Sequence, residues 1–497
     1  MFSKITSFFK GVLAKMGIIK QINKISDMKM IPDIFDDYYD HLFKWKCLYR
    51  GYLEEMHNIR YRTLDGDKER TMSTLGMPKV VTQELASLVF NEKCEISISE
   101  KTFDENVKNV LNDNKFYKNF QEYLEYSFAL GGLVIKPYVE NPKDKDKKIK
   151  LSFVTADCFI PVSWDNSGIR EGVFTNEIIK GKKKFTHLEW HIWDGPTYII
   201  KNELYASENL DDLGIQVPLD MLFPNLPEEV PISNLKRPMF VYIKPNIANN
   251  LDLLSPLGIS IYGNSFDTLQ GIDIAFDSFI REFRLGKKKI IVPAWALKPV
   301  IDPQTGNTFR YYDPSDETYE AFDYGNDDSE LKEVSMELRV EEHIGGINAL
   351  LNTLSMQIGF SAGTFSFDGQ SVKTATEVVS ENSKTFRTKQ SHETVIEAGL
   401  QELIECIGQV AKLYHIFPVP SQIDVSVTFD DSIAEDKQAD INQQIQLVTN
   451  KMQSLKRAIM KIHGMTEEDA ERLLKEINDE QKTATAENVD LFGMGEK

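Results

Sequence analysis

From residue 395 onward the apolar positions fall on one helical stripe: Val395, Ile396, Leu400, Leu403, Ile404, Ile407, Val410 and Ala411. The stretch just before it, SVKTATEVVSENSKTFRTKQ at 371–390, continues the same register with almost nothing to bury. A helix that is polar on every side bridges solvent or joins bodies, so this element is expected to be packed at one end and wet at the other.

Elsewhere the pattern divides the chain into blocks. Residues 41–95 predict two helices separated by TLDGDKER, the second being MPKVVTQELASLVFNE with Val80, Val81, Leu85, Leu88 and Val89 on one side. Helical spacing continues through NFQEYLEYSFAL and stops at Gly131-Gly132. Strand-like runs follow: GLVIKPYVE, IKLSFVTADCFIPVSW, IREGVFTNEIIK, KKFTHLEWHIWDG and TYIIKNELYAS. This block predicts an α+β unit with a mostly antiparallel sheet. A polar, proline-rich stretch from about 206 to 260 separates it from a different pattern.

There, Phe266, Leu269, Ile272, Phe276, Phe279, Ile280 and Phe283 form one helical stripe closed by Gly286. A second helix from about 336 carries Val340, Ile344, Ile347, Leu351, Leu354 and Ile358, alternately four and three apart, which is a heptad seam. Gly345-Gly346 sits within it, where glycine weakens a helix by about 1 kcal/mol per residue, and marks a kink or a close helix approach. Between the two helices KKKIIVPAWAL and FRYYDPSDETYEAF are joined by the turn IDPQTGN, so a small β knob is expected on a two-helix stalk. FSAGTFSFDGQSVK is a loop, and IDVSVTFDDS is a strand expected to return to the sheet. Helices are predicted at about 433–460 and 467–479, the second with Thr466 and Asp469 spaced as a capping box, and disorder after about 482.

With 497 residues, 41% hydrophobic content and a formal net charge of -19, the chain is globular and repels nucleic acid except at local basic patches. Cys47, Cys94, Cys158 and Cys406 lie too far apart for a cysteine metal motif, and neither cofactor nor metal is expected. The first residues form an amphipathic stripe, Phe2, Ile5, Phe8, Phe9, Val12, Leu13, Met16 and Ile19, interrupted by lysines. That stripe is read as docking on protein, with a membrane surface as the alternative, and no membrane anchor is expected.

Candidate chemistry is sparse. Gly359-Phe360-Ser361-Ala362-Gly363 matches the G-x-S-x-G elbow of serine hydrolases, but that elbow needs a strand before it and a helix at once after it. Here a heptad helix precedes and a loop follows, so a hydrolase using Ser361 is only the alternative reading. His187, Glu189 and His191 alternate on one face of a predicted strand. Zinc or iron ligation is weighed there against a solvated polar face, and the solvated face is preferred. No phosphate-binding P-loop pattern is present. No catalytic residue is assigned and the chain is not expected to be an enzyme.

WKCLYRGYLEEMH, RTMSTLGMPKVVTQELASLVFNE, ALGGLVIKPYV, FIPVSWDNSGIREGVF, GISIYGNSFDTLQGIDIAFDSF, KTATEVVSENSKTFRT and HGMTEEDAERLLKEI, in that order and spacing, resemble the portal proteins of tailed bacteriophages. The likeness is to the type found in siphophages and prophages of Gram-positive hosts. The resemblance implies a twelve-membered ring at one capsid vertex, assembled in the host cytoplasm and carried in the virion. Double-stranded DNA would be packaged and ejected through it. Its implied partners are the terminase large subunit, the head-tail adaptor, and the major capsid and scaffolding proteins.

The implied parts are an N-terminal arm (1–40), a wing (41–262), a first stem helix (263–285), a clip (286–335) and a second stem helix (336–358). A channel loop (359–371), a long wing helix with a returning strand (372–431), a crown (432–480) and a tail (481–497) follow. The resemblance places Ser361, Thr364, Phe365, Phe367, Asp368, Gln370 and Lys373 at the channel. Lys287, Lys288, Lys289, Asp302, Gln304, Asn307 and Arg310 fall in the clip where partners dock. Phe276, Phe279, Ile280, Phe283, Ile344, Ile347, Leu351 and Leu354 are the expected stem packing.

Overall fold

The computed structural model describes residues 36–63, 66–140, 146–209, 213–286, 289–293, 299–301, 308–310, 319–322, 332–334, 337–366, 383–430, 437–463 and 469–477. Residues 1–35 of the N-terminal arm, the tail, Thr466 of the expected capping box and the polar stretch 371–382 lie outside these residues. The rest divides into two units. One comprises residues up to Phe367 together with Thr388–Phe429, and the other comprises Asp368–Arg387 with Asp430–Lys497.

The larger unit opens with helix α1 (Asp36–Tyr49) and a single turn, Glu54–His57, followed by the hairpin β1 (Asn58–Thr63) and β2 (Gly66–Thr71). Helix α2 (Met77–Val89), strand β3 (Glu95–Ile98) and helices α3 (Lys101–Asp113) and α4 (Phe116–Leu130) come next. The hairpin replaces the simple turn expected between two helices. TLDGDKER was read as a link between two helices, and its flanks were not read as strands because GDKERT is polar throughout and gives no alternation.

Two antiparallel sheets follow. Strands β4 (Leu133–Glu140) and β5 (Lys148–Thr155) pair along their whole length. A short 3₁₀ turn, Ala156–Cys158, then diverts the chain into β6 (Phe159–Asp165), β7 (Gly168–Lys180), β8 (Lys183–Asp194) and β9 (Thr197–Ser207), a meander extended by β10 (Ile215–Val217) and β11 (Glu229–Ser233). The run IKLSFVTADCFIPVSW is therefore two strands in two sheets. Strand β12 (Val241–Ile243) joins the free edge of β4 at Leu133–Ile135 only, so Pro137 sits beyond the ladder, where its missing N–H costs no inter-strand bond.

The 206–260 stretch is no separator. It supplies β10 to β12 and the buried side chains Met239, Phe240, Val241, Ile243, Leu257 and Ile259 of the main core. Backbone meets backbone where Gly131 and Gly258 cross. A Cβ on Gly131 would stand 2.5 Å from the Gly258 carbonyl oxygen, and its φ of +85° is the left-handed conformation that glycine alone adopts freely.

Helix α5 (Phe266–Leu285) and helix α6 (Val340–Ile358) flank an insertion of short strands. Helix α7 (Ser383–Tyr414) then runs through the core, burying Ile396, Leu400, Leu403, Ile404, Ile407, Val410 and Ala411. Burial begins before the predicted stripe, at Lys389, His392 and Glu393, contrary to the expectation that this end is wet. Strand β18 (Val425–Thr428) pairs with β3 rather than with the large sheet. In the second unit the helix expected at about 433–460 is broken into Lys437–Thr449 and Leu455–His463, with Lys451 at φ 55° between them.

Candidate functional site

The two helices expected from the sequence are present as α5 and α6, and their contacts fix an antiparallel register. Leu350 lies 3.5 Å from where a Cβ on Gly271 would stand, the Phe279 ring is 5.6 Å from the His343 ring, and Glu282 meets Arg339. Ile347, Leu351, Leu354 and Ile358 are buried along the seam, while Ile344 is half-buried. On α5, Phe276, Phe279 and Ile280 are half-buried and Phe283 is 46% exposed. The helical spacing was thus read correctly, but the α5 stripe is only partly covered. Gly345 and Gly346 do not break α6, which is helical throughout.

One carboxylate closes the stalk at the point where the insertion leaves and returns. Glu282 accepts hydrogen bonds from the Arg339 backbone N (3.0 Å), Nε (3.1 Å) and Nη2 (3.0 Å), and it also pairs with His343 Nε2. These bonds, those from Arg339 foremost, hold the Glu282 carboxyl down at about 2.

Two aspartates one helical turn apart tie α5 to the hairpin side. Asp277 takes both Arg70 Nη1 (2.8 Å) and Nη2 (2.6 Å), plus the Ser73 backbone N (3.0 Å). The Arg70 hydrogen bonds hold its carboxyl below the usual carboxylate range against the opposing effect of burial. Asp273 accepts from Leu75 N at 2.8 Å and meets His57 Nε2 at 3.2 Å.

The insertion holds three short strands in one sheet, β13 (Lys289–Pro293) between β16 (Tyr319–Phe322) and β17 (Lys332–Val334), with β13 and β16 parallel. A separate hairpin, β14 (Pro299–Ile301) with β15 (Thr308–Arg310), surrounds IDPQTGN. The strands flanking 302–307 are these and not the longer segments expected, and the expected turn itself lies outside the described residues. Lys289 begins β13 and Arg310 ends β15. Lys287, Lys288, Asp302, Gln304 and Asn307 lie outside the described residues.

After α6, Gly359 adopts φ 92° as the helix cap, and Thr388 on α7 donates its hydroxyl to the Gly359 carbonyl at 2.7 Å. Ser361 is 4% exposed and its carbonyl accepts from the Thr364 hydroxyl at 2.7 Å. The elbow geometry that presents a nucleophilic serine is missing, since a helix cap precedes Ser361 and a turn buries it. Phe365 packs on Phe360 at 5.2 Å between ring centroids. Phe367, Asp368, Gln370 and Lys373 lie outside the described residues.

The polar face of β8 is not solvated, contrary to expectation. His187 is 8% and His191 0% exposed, because the stretch read as a separator folds over them with Phe223 and Phe240. His191 Nε2 reaches Glu189 Oε1 at 2.8 Å, Lys136 Nζ reaches Glu189 Oε2 at 2.6 Å, and His191 Nδ1 meets the Tyr198 hydroxyl at 2.8 Å. The Met239 backbone N donates to that hydroxyl at 3.1 Å.

Burial alone would raise the Glu189 carboxyl, but Lys136 and His191 outweigh it and hold it low, while burial lowers His191. A neutral His191 therefore donates from Nε2 and accepts at Nδ1, and every polar atom of the relay is satisfied. His187 instead faces Asn202 Oδ1 at 3.0 Å. Among the described residues no group of histidine, cysteine and carboxylate side chains is arranged to hold a metal ion, and no helix is long and apolar enough to cross a membrane.

No curated protein matches the chain. The antiparallel helix pair around a β insertion, the α+β unit beside it and the capped loop after it agree with a family model, described as phage portal protein, SPP1 Gp6-like, that matches residues 28–483. The chain belongs to the phage portal protein family.

Proposed function

We propose that copies of this chain form a closed ring of twelve at one vertex of a phage capsid, and that double-stranded DNA passes through its centre during packaging and ejection. The observation that carries this reading is the α5–α6 pair with a β insertion at its far end, closed by the Glu282 cluster. That is a rigid stalk with a separate tip. In this reading α5 and α6 are the stem, residues 286–335 the clip, and the α+β block 41–262 the wing. Residues 359–371 form the channel loop, and the helices between 432 and 480 form the crown.

The clip is then the docking face for the terminase large subunit and afterwards for the head-tail adaptor. Major capsid and scaffolding proteins meet the ring elsewhere, and assembly takes place in the host cytoplasm. The charge balance supports the role of conduit. DNA carries about one negative charge per 1.7 Å of axis, and a chain with a net charge of -19 does not hold it fast. Energy for packaging comes from the separate motor, and this chain serves as conduit and platform.

Native mass spectrometry with negative-stain imaging of the purified chain tests the ring: a closed oligomer with a central hole is expected, and a stable monomer at all concentrations refutes it. Deleting residues 364–370 tests the loop. Rings should persist while DNA packaging stops, and normal packaging would remove the loop from the channel.

A further inference from the structure

A groove of about 840 Å³ runs between the β1–β2 hairpin and α5. Its lining combines the apolar Ile59, Met72, Ile274 and Leu338 with charged groups, of which Arg70 and Arg339 are paired with Asp277 and Glu282, while Glu337 and Arg281 make no ion pair among the described residues. Ile274 is 47% exposed there, and Arg281 is exposed.

An exposed surface that could meet the unpaired Arg281 lies on α6. Glu341, Glu342, Gly345, Gly346 and Ala349 are all exposed on its N-terminal half, and neither glutamate makes an ion pair among the described residues. A Cβ added at Gly345 or Gly346 would meet nothing within 4 Å. Two adjacent glycines weaken a helix interior, and no contact among the described residues requires them. They leave this half of α6 slim, with acidic groups beside the slim part.

The two surfaces are level along the stalk. Glu282 touches Arg339 and His343, and Gly271 lies under Leu350, so the part of α5 that borders the groove runs alongside the first ten or so residues of α6. From Ile274 to Gly286 the groove extends about 18 Å, and from Glu341 to Ala349 the slim segment extends about 12 Å, at 1.5 Å per residue. The slim segment is shorter than the groove, and the acidic residues beside it can meet the unpaired Arg281.

Resting on the ring reading above, we propose that the N-terminal half of α6 of one copy seats in the groove of the next copy. Gly345 and Gly346 lie against Ile274 and Met72, and Glu341 and Glu342 reach Arg281. The contact joins two different surfaces of the same chain, which is the heterologous kind that closes a ring when it repeats around an axis.

Cysteine pairing in the full-length chain tests it. A double variant, Ser278→Cys with Gly346→Cys, should give a ladder of covalent multimers on non-reducing gels when rings are oxidised. Each single variant should remain monomeric on the same gels. In parallel, Arg281→Glu should lower the ring fraction at a fixed concentration at least tenfold by native mass spectrometry, with an unchanged melting temperature. Adding Glu341→Arg and Glu342→Arg should restore it.

Wild-type rings with no ladder, or rings indifferent to Arg281→Glu, overturn this contact and leave the ring reading intact. A wild-type chain that never forms rings overturns both. A charge-reversed variant that loses its melting transition is read through the cysteine pair instead, since both cysteine sites are exposed on helix surfaces.

Discussion

Arg70 and Asp277 form a two-pronged ion pair, at 2.8 and 2.6 Å, that fastens an otherwise isolated two-stranded hairpin to a helix more than two hundred residues away. A lone hairpin is marginal in water, so the β1–β2 pairing depends on this anchor and on the neighbouring Asp273 contacts.

Asp277→Ala should therefore loosen the hairpin before it unfolds the protein. It leaves both Arg70 and the Ser73 N–H without an acceptor, a loss of about 1–3 kcal/mol. Hydrogen exchange is expected to speed up within residues 58–75 while the β7–β9 meander stays protected. Equal protection in the hairpin of the variant and the parent would show that the anchor is dispensable.

The Lys136–Glu189–His191–Tyr198 relay should behave as a unit. Glu189→Leu strands a largely buried Lys136 and should cost about 3 kcal/mol. The double variant Lys136→Met with Glu189→Leu should recover part of that loss, because it removes the stranded charge. Urea unfolding of the parent, the single variant and the double variant reads the difference, and a double variant less stable than the single one would contradict the prediction.

His392 is 3% exposed, accepts from the Asn246 backbone N at 3.1 Å through Nδ1, and burial pushes its pKa down to about 4. The unfolded chain takes up this proton near pH 6.5 and the folded one only near 4. The unfolded state thus binds more protons in between, and stability falls as pH drops from about 6.5 towards 4, by up to about 3 kcal/mol. His191 and His187 are also shifted downward by burial and act in the same direction. His392→Gln should flatten the slope over that window, and an unchanged slope of stability against pH would sink the assignment.

A Cβ on Gly399 would stand 2.6 Å from Ile243 Cγ1, where α7 crosses β12. Gly399→Val should destabilise by about 1–3 kcal/mol through overpacking. Gly399→Val with Ile243→Ala should be milder than the single change, and melting temperatures are enough to compare them.

Sequence reading was most reliable wherever a period ran long enough. The stripes of α5, α6 and α7 and the meander strands were all legible, because three or more turns or several alternations outweigh local noise. It failed where the outcome depended on distant segments. Nothing local in THLEWH says that Phe223 and Phe240 will cover His187 and His191, and a polar face without that cover would have been wet. Pairing of β18 with β3, and of β13 with β16, is likewise a choice among partners far apart in the chain. The break at TLDGDKER was read, but the strands on either side of it were not, because GDKERT is polar throughout and gives no alternation of apolar and polar positions. The tie between Glu282, Arg339 and His343 was not legible, because it joins positions whose closeness is set only by the antiparallel register of α5 and α6.

The bond from the Thr388 hydroxyl to the Gly359 carbonyl joins the two ends of a segment of nearly thirty residues. With both ends moored, the entropy of closing such a segment grows only as the logarithm of its length, about 0.6 kcal/mol for each doubling. A phage lineage can therefore lengthen or shorten the stretch between these moorings at little thermodynamic penalty. The length of the chain between Gly359 and Thr388 then becomes a trait that insertions and deletions can adjust while the surrounding architecture keeps its stability.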